Sequence, residues 1–278
     1  MITATRWGAQ CLAALYISIS SGVVVALQYN PAEPLFSTLS LELVVPYGSF
    51  WRALHYYSSQ LFFLLLLVHL AVVITENRHR YDRAQWIRLL SSVPVALLLL
   101  FTGYILRGDT TGTSAGMIAE NIALSVPFIG KTINGFLFDL SASSLKKVYA
   151  QHLVGLVVIG GFFAWNHLRR YQTRLRYHLP LMALLLACST ALPAPLEPDH
   201  PGAGLIAGPW FFLGLQELLR YLPAFWAGVF LPTLFIAILF FLPFDNTKLR
   251  PVLNTITLGL IFYGLISLLS YNRIFGHG

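Results

Sequence analysis

The sequence predicts an all-α, polytopic membrane protein with about seven transmembrane helices. Hydrophobic residues make up 56% of the 278 residues and charged residues only 10%, whereas a soluble domain carries about 25% charged residues. Several apolar runs reach the roughly 20 residues that a helix needs to cross a bilayer. The net charge of +7 comes from basic residues in short loops between these runs. That distribution is typical of membrane topology and argues against nucleic acid as a partner.

Seven apolar runs define the predicted spans: 8–28, 50–75, 86–106, 148–168, 178–193, 224–243 and 251–271. The fifth is short, because Pro180 and Pro193 flank its apolar part. The three longest connections are 29–49, 107–147 and 194–223. In the second and third of these connections, brief apolar stretches alternate with turn residues and charges. We interpret those stretches as amphipathic helices on the membrane surface.

Lysine and arginine indicate the orientation. The 76–88 loop carries four arginines and the 168–177 loop carries another four, while 29–49 carries no basic residue. The positive-inside rule puts the arginine-rich loops and the N-terminus on the cytoplasmic (n) side. The three long connections then face the opposite (p) side. With seven spans, the C-terminus is expected on the p side as well.

Four histidines lie inside apolar spans, where ionisable side chains are costly and usually functional. His55 and His69 are fourteen residues apart in span two, and His152 and His167 are fifteen apart in span four. On a helix these spacings leave angular offsets of about 40° and about 60°, with rises of about 21 and 22 Å. Both spans run from the p side to the n side. His55 is therefore level with His152, and His69 with His167.

Two facing imidazoles at one level can fill both axial positions of a heme iron. The sequence therefore predicts two metal sites, with His55 and His152 near the p side and His69 and His167 near the n side. The alternative is that each histidine is a polar residue hydrogen-bonded within the bundle. The other histidines lie in loops or at the chain ends and are interpreted as surface residues: His79, His178, His200 and His277.

Glycines of span one repeat the same interval. Gly8 and Gly22 are fourteen residues apart, so one face of the helix lacks a side chain at two heights about 21 Å apart. Glycine permits the close approach of a large group, and helix–helix packing is the alternative explanation. The matching interval favours the approach of a flat cofactor.

These features, together with the motifs GSFWRALH (48–55), FTGYILRGD (101–109) and SVPFIG (125–130), resemble cytochrome b of the Rieske/cytochrome bc complexes. The resemblance extends over essentially the whole chain. The histidine spacings are similar to those of chloroplast-type members, in which the helices are split over two chains. The resemblance implies a heme-binding four-helix bundle in 1–176 and a three-helix part in 177–278. The second part includes the p-side quinol-site loop, 194–223.

The resemblance implies a respiratory quinol:cytochrome c (or other acceptor) oxidoreductase in the bacterial cytoplasmic membrane. Quinol oxidised at the p side would give one electron to a Rieske iron–sulfur protein. The other electron would cross the membrane through two non-covalent b hemes to a quinone, with proton translocation. The implied partners are the Rieske protein, a c-type cytochrome subunit, the lipid bilayer and a second copy of the complex in a homodimer.

The resemblance also implies further cofactor-binding residues. Gly48 and Arg52 stand at the family's positions before the first histidine. Arg52, one turn before His55, is expected to meet a heme propionate. Lys147 stands where relatives carry an arginine and is expected to do the same. An interfacial anchor is the alternative for both Arg52 and Lys147.

The quinol-site motif departs from the family. The family's Pro-Glu-Trp-Tyr reads Gly208-Pro209-Trp210-Phe211 here. Pro209, Trp210 and Phe211 remain candidate quinol-site residues, but the proton-accepting glutamate is missing. Since a general base needs a carboxylate or imidazole within reach of the quinol, we consider Glu217 the candidate. A solvated glutamate, or one paired with Arg220, is the alternative. Variants without this glutamate resemble those of menaquinone-using bacteria, so menaquinol is the expected substrate.

Two more departures matter. The family's Pro-Trp-Asp after the third span reads Arg107-Gly108-Asp109, and the cysteine that attaches an extra heme in chloroplast-type relatives is Arg6. No covalent heme is therefore predicted.

Two other functions stay open. One is a diheme membrane anchor that passes electrons between the quinone pool and a different peripheral oxidoreductase. The other is a transporter whose histidines relay protons.

Overall fold

Helices form along the apolar runs. The structure, a computed structural model, describes residues 6–77, 81–140, 145–169, 173–197, 206–243 and 245–275. No β-strand occurs within these ranges. In a bilayer an isolated segment satisfies its backbone polar groups only as a helix, which explains why each long apolar run folds in this way. The predicted all-α membrane fold is confirmed.

The principal helices, numbered along the chain, are α1 (Trp7–Ala26), α2 (Pro34–Leu43), α3 (Gly48–Val72), α4 (Arg83–Leu90), α5 (Ser92–Ile105), α6 (Thr110–Leu124), α7 (Gly130–Leu137), α8 (Lys146–Ala150), α9 (Leu156–Leu168), α10 (Leu179–Ala191), α11 (Leu213–Leu218), α12 (Leu231–Phe240) and α13 (Asn246–Phe275). Two 3-10 turns, Leu175–His178 and Trp210–Phe212, lead into α10 and α11.

Within the described residues, five helical stretches are long and apolar enough to cross a membrane: Trp7–Ala26, Gly48–Glu76, Arg83–Ile105, Lys146–Leu168 and Thr247–Phe275. They correspond to the first four predicted spans and the seventh. The fifth predicted span contains α10, which has only 13 residues. The sixth contains the shorter apolar helix Trp226–Phe240. The sequence did not predict α2, whose first turn accepts Pro34 because a proline there forfeits no helical hydrogen bond.

In the part of the chain that the structure describes, single π-helical turns adjoin the α-helices at Val73–Asn77, Gln151–Gly155 and Trp226–Phe230. The second joins α8 to α9 and contains His152. Its closing hydrogen bond runs from the N–H of Leu156 to the carbonyl of Gln151, five residues earlier. Turns of this kind are often found at functional sites.

The chain divides into two compact units. The first comprises Met1–Gly103 and Ala150–Leu196, and the second Tyr104–Tyr149 and Glu197–Gly278. The divisions fall within α5, at the end of α8, and between Leu196 and Glu197. The separate division at residue 176, which the resemblance implies, concerns the two chains of chloroplast-type relatives and stays a prediction.

In the first unit, α3 is the central helix. α1 packs along it over most of its length, and α2 and α10 also contact it. Cys11, Ala14 and Leu65 are buried at the α1–α3 contact, with Trp7 and Phe62 packed around them. Small side chains let the two backbones approach closely, as is usual between membrane helices.

In the second unit, α11 packs on α13, and α6 packs on α7 and on the turn Trp226–Phe230. Gly228 permits the last of these contacts. A Cβ added there would lie 2.7 Å from the side chain of Ile122. Much of α13 is exposed along its apolar surface, including Leu258, Phe262 and Leu269. Such a surface suits contact with lipid.

A buried ion pair fixes the start of α6. Asp109 is fully buried and forms an ion pair with Arg107. Its carboxylate also accepts hydrogen bonds from the backbone N–H of Gly112, at 2.9 Å, and of Glu197, at 2.9 Å. Thr111 donates to the Glu197 side chain. Asp109 therefore caps α6 and ties the chain at residue 197 to it.

We expect Asp109→Asn to lower the free energy of unfolding by about 3–5 kcal/mol, because it leaves the buried Arg107 guanidinium without its counter-charge. Asp82→Asn is the matched control. Asp82 caps α4 through a 2.8 Å bond from the N–H of Gln85, but it is exposed. Since asparagine caps helices about as well as aspartate, that change should have little effect. Thermal unfolding in detergent measures both, and equal effects would contradict the role assigned to the ion pair.

Candidate functional site

The first histidine pair joins α3 to the π turn before α9. The ring centres of His55 and His152 lie 6.3 Å apart, and the ring planes meet at 88°. Nδ1 of His55 lies 2.9 Å from the carbonyl oxygen of Ser18 on α1. Because a carbonyl only accepts hydrogen bonds, Nδ1 carries the ring proton and Nε2 keeps its lone pair. Nε2 of His55 is therefore in the form that binds a metal.

The second histidine pair lies further along the same two helical segments. The ring centres of His69 on α3 and His167 on α9 are 5.9 Å apart, with the planes at 43°. Fourteen residues of α-helix separate His55 from His69, a rise of about 21 Å. The structure thus brings together the same two pairs that helix geometry predicts.

Both pairs fit a metal held between two rings. With metal–nitrogen bonds of about 2 Å and rings of ordinary size, two trans imidazoles have centres about 6 Å apart. In the described part of the chain, no group of three or more His, Cys, Asp and Glu side chains could hold a metal ion. A metal between two histidines would therefore take its other ligands from a macrocycle, as heme iron does.

Two glycines of α1 lie against these rings. A Cβ added to Gly22 would be 2.7 Å from Cε1 of His55, and one added to Gly8 would be 2.9 Å from Cε1 of His69. Non-bonded carbon atoms do not approach so closely, so glycine leaves the room that each ring occupies. The close approach at Gly8 and Gly22 is therefore made by the imidazoles of α3.

Arg52 and Gly48 have protein partners in the structure. Arg52 is buried, forms a 2.7 Å ion pair with Glu42, and donates a 2.5 Å hydrogen bond to the carbonyl of Ala194. Gly48 lies against the backbone of α2, where an added Cβ would collide with the carbonyl of Leu41. Both residues thus connect α3 to neighbouring segments of the first unit.

Lys147 lies on α8 in the second unit. It forms an ion pair with Asp139, and its side chain is 42% exposed. The partner stands in a left-handed backbone conformation, with φ of 47°. This contact connects α8 to the residues that follow α7.

Pro209, Trp210 and Phe211 form the turn that leads into α11. Pro209 is buried and Trp210 is exposed. The ring of Phe211 packs edge-on against Tyr104, with the centres 5.5 Å apart. The guanidinium carbon of Arg107 lies 5.4 Å from the centre of the same Tyr104 ring. The altered motif at 208–211 and the altered motif at 107–109 therefore share Tyr104 as a neighbour.

Two side chains hold this turn in position. Gln216 accepts a 2.8 Å hydrogen bond from the N–H of Gly208 and donates a 2.7 Å bond to the carbonyl of Ile206. The Tyr263 hydroxyl on α13 donates to the carbonyl of Phe211 at 3.0 Å and accepts from the N–H of Leu215 at 3.3 Å.

Glu217 is buried and has several partners. Its carboxylate forms a 2.8 Å ion pair with Arg273 near the end of α13 and accepts a 3.2 Å hydrogen bond from the Tyr221 hydroxyl. Arg220 lies at 4.0 Å, at the limit of an ion pair. Arg273, rather than Arg220, is therefore the principal partner of this glutamate.

One expectation about the remaining histidines is wrong. His178 is buried, and its Nε2 lies 2.6 Å from the Thr173 hydroxyl. His79, His200 and His277 fall outside the described residues. Sequence reasoning also missed Thr102, Gln216, Tyr263 and Arg273. Thr102 stands inside the FTGYILRGD motif, which could have directed attention to it. The other three carry no local signal.

A multi-pass membrane protein whose helices bring histidines together in pairs is, by fold and site, of the class of membrane-bound b-type cytochromes. The family model described as cytochrome b/b6/petB matches residues 3–171, more than half of the chain. The chain belongs to the cytochrome b family.

The similarity to individual proteins is distant but extensive. Cytochrome b of Python regius is 22% identical over 300 residues, covering 94% of this chain and 81% of that protein. Cytochrome b of Bugula neritina is 22% identical, covering 84% and 73%. Cytochrome b6 of Heliomicrobium gestii is 26% identical, covering 58% and 78%. A solved hyperthermophilic respiratory Complex III has a chain with a TM-score of 0.70 at 20% identity, covering 95% of this chain and 83% of that one.

Family membership implies b-type heme and a subunit of a membrane oxidoreductase that transports electrons. The solved structure, at 20% identity, supports the fold. The resemblance to cytochrome b that the motifs predict is therefore confirmed.

We expect Gly22→Ala to lower the free energy of unfolding by about 1–3 kcal/mol, because the new methyl group would overpack the His55 ring. Thermal unfolding in detergent measures the change. Gly161→Ala is the matched control on α9, in the same unit. Nothing lies within 4 Å of a Cβ added at Gly161, so better helix propensity should stabilise the protein by up to about 1 kcal/mol. Shifts of the same sign in both variants would contradict the close packing at His55.

Proposed function

We propose that this chain is the diheme cytochrome b subunit of a respiratory quinol:cytochrome c (or other acceptor) oxidoreductase. The observation that carries the proposal is the presence of two histidine pairs, with ring centres 6.3 and 5.9 Å apart, on the same two helical segments. His55 and His152 hold one heme, and His69 and His167 hold the other. Two bound hemes supply one-electron carriers at two depths in the membrane.

The chain's own residues prepare each pair for a metal. The Ser18 carbonyl keeps the proton of His55 on Nδ1, so Nε2 remains a ligand without any change of protonation. Gly8 and Gly22 give the rings of His69 and His55 the space to sit directly against α1. Arg52 and Lys147 are proposed to interact with heme propionates, and Gly48 to support the Arg52 helix. Such a role requires Arg52 and Lys147 to share their charge with Glu42 and Asp139.

Quinol, with menaquinol as the proposed species, is oxidised beside Pro209, Trp210 and Phe211. An aromatic, mostly apolar turn suits a flat quinol ring. Glu217 is the one carboxylate between residues 206 and 243, which supports it as the group that takes up a quinol proton. To do so it must leave its ion pair with Arg273, so proton uptake and the docking of α11 on α13 are coupled.

The solved structure to which this chain is similar is a hyperthermophilic respiratory Complex III, which supports an assembly of this kind. We propose a Rieske iron–sulfur protein and a c-type cytochrome subunit as partners, in a homodimeric complex. The proposed location is a bacterial cytoplasmic membrane, with the N-terminus in the cytoplasm and the C-terminus on the p side. The histidine-rich core would then connect quinol oxidation on the p side to quinone reduction on the n side.

A second function is favoured by one observation. Proline replaces glutamate at position 209, and Glu217 is held by Arg273. A diheme anchor that passes electrons between the quinone pool and another peripheral oxidoreductase needs no such base. A Rieske-type electron paramagnetic resonance signal in the purified complex supports the first function, and its absence from an intact complex supports the second.

We expect His69→Ala to remove one heme and leave a second low-spin heme, because the two pairs are separate sites. The pyridine hemochrome content and the reduced-minus-oxidised spectrum of the purified complex measure the heme stoichiometry. His178→Ala is the control, since His178 is a buried histidine outside both pairs. Retention of two hemes in His69→Ala, or loss of a heme in His178→Ala, would refute the assignment of the ligands.

We expect Glu217→Gln to slow quinol oxidation and to flatten its pH dependence, because an amide cannot take up a proton. Arg273→Gln separates this role from a structural one. It removes the ion-pair partner but keeps the carboxylate, so the pH dependence should persist even if the protein is less stable. The steady-state rate across pH and the unfolding temperature are measured together. An unchanged rate and pH profile in Glu217→Gln would assign Glu217 to structure alone.

A further inference from the structure

In the first pair, Nδ1 of each imidazole lies within hydrogen-bond distance of an oxygen atom on a different helix. On α1, the Ser18 carbonyl lies 2.9 Å from Nδ1 of His55, and Gly22 makes room for the ring edge. On α5, the Thr102 hydroxyl lies 2.9 Å from Nδ1 of His152. A Cβ added to the neighbouring residue, Gly103, would lie 3.3 Å from Cε1 of His152.

The direction of the Thr102 hydrogen bond can be derived from the other bonds of its hydroxyl group. The Thr102 oxygen also lies 2.8 Å from the carbonyl of Leu98 and 3.1 Å from that of Leu99. Carbonyls only accept, so the single hydroxyl proton is directed toward them. The oxygen is then left to accept from His152, whose Nδ1 must carry the ring proton.

This arrangement leaves the Nε2 lone pair of His152 as the ligand. Thr102 is 2% exposed, so its hydroxyl is shielded from solvent. A hydrogen bond to the far nitrogen of a metal-bound histidine fixes the tautomer and the ring orientation and raises the basicity of the ligand. A more basic ligand favours the ferric over the ferrous state and so lowers the reduction potential of the metal.

We propose that Thr102 is a positioning residue for the His152 ligand, with Gly103 providing the space, and that its hydroxyl lowers the reduction potential of the heme held by His55 and His152. The inference rests on the proposed function, because it requires heme at this pair. It gives α5 the same role toward His152 that α1 has toward His55.

The experiment uses the purified complex and three variants. Thr102→Val keeps the shape of the side chain but removes the acceptor, Thr102→Ser keeps the hydroxyl, and Thr38→Val is the matched control. Thr38 on α2 is also buried, and its hydroxyl bonds the carbonyl of Pro34 four residues earlier, at 2.9 Å. The measurements are heme content, potentiometric titration of both hemes, and the low-spin electron paramagnetic resonance signals.

In Thr102→Val we expect an upward shift of the midpoint potential of one heme and a change in its low-spin signal, with the other heme unchanged. Thr102→Ser and Thr38→Val should match the wild type. If Thr102→Val instead loses that heme, a wild-type potential in Thr102→Ser still supports the role of the hydroxyl. Unchanged potentials in Thr102→Val, or a Thr102→Ser variant that behaves like valine, would overturn the inference. Absence of heme from the wild type would refute the proposed function itself, independently of any variant.

Discussion

Imidazole rings that face each other inside a low-dielectric helix bundle are the constraint on which the first unit depends. A polar ring in such surroundings is stable only when its nitrogens have partners. For His55, Nδ1 is bonded to the Ser18 carbonyl, and the ring centre of His152 lies 6.3 Å from that of His55. Meeting that condition requires α3 and the α8–α9 segment to present rings at equal heights. It also requires α1 to have no side chain where each ring of α3 contacts it, which explains why Gly8 and Gly22 are fourteen residues apart.

The second unit depends on long-range polar contacts instead. Tyr263 bridges the backbone around Phe211 and Leu215, and Arg273 pairs with Glu217. Through these contacts α13 fixes the short α11 and the turn before it. A segment as short as α11, with only six residues, would not be stable as an isolated helix. Its conformation is therefore a property of its docking on α13.

Local patterns explain what the sequence could predict. Long apolar runs define the spans, and helix periodicity together with the predicted topology pairs His55 with His152 and His69 with His167. The principal partner of Glu217 could not be predicted, since Arg273 lies 56 residues away in the sequence and positive charges near span ends have a topological explanation of their own. The pairing of Arg52 with Glu42 and with the carbonyl of Ala194 could not be predicted either, because Ala194 is 142 residues away in the sequence. Periodicity identifies the face of a helix, but not the loop that covers it.

The π turn at Gln151–Gly155 accounts for an inequality between the two ligand helices. His55 and His69 are fourteen residues apart, whereas His152 and His167 are fifteen apart. A turn closed by a bond to the fifth preceding residue takes in one residue more than an α turn. The extra residue is absorbed there, so the remaining helix turns as though fourteen residues separated the histidines. An insertion in a buried helix would otherwise rotate every following side chain by about 100°. Because the extra residue is confined to one π turn, this membrane helix can be one residue longer while both of its histidines still face their partners on α3.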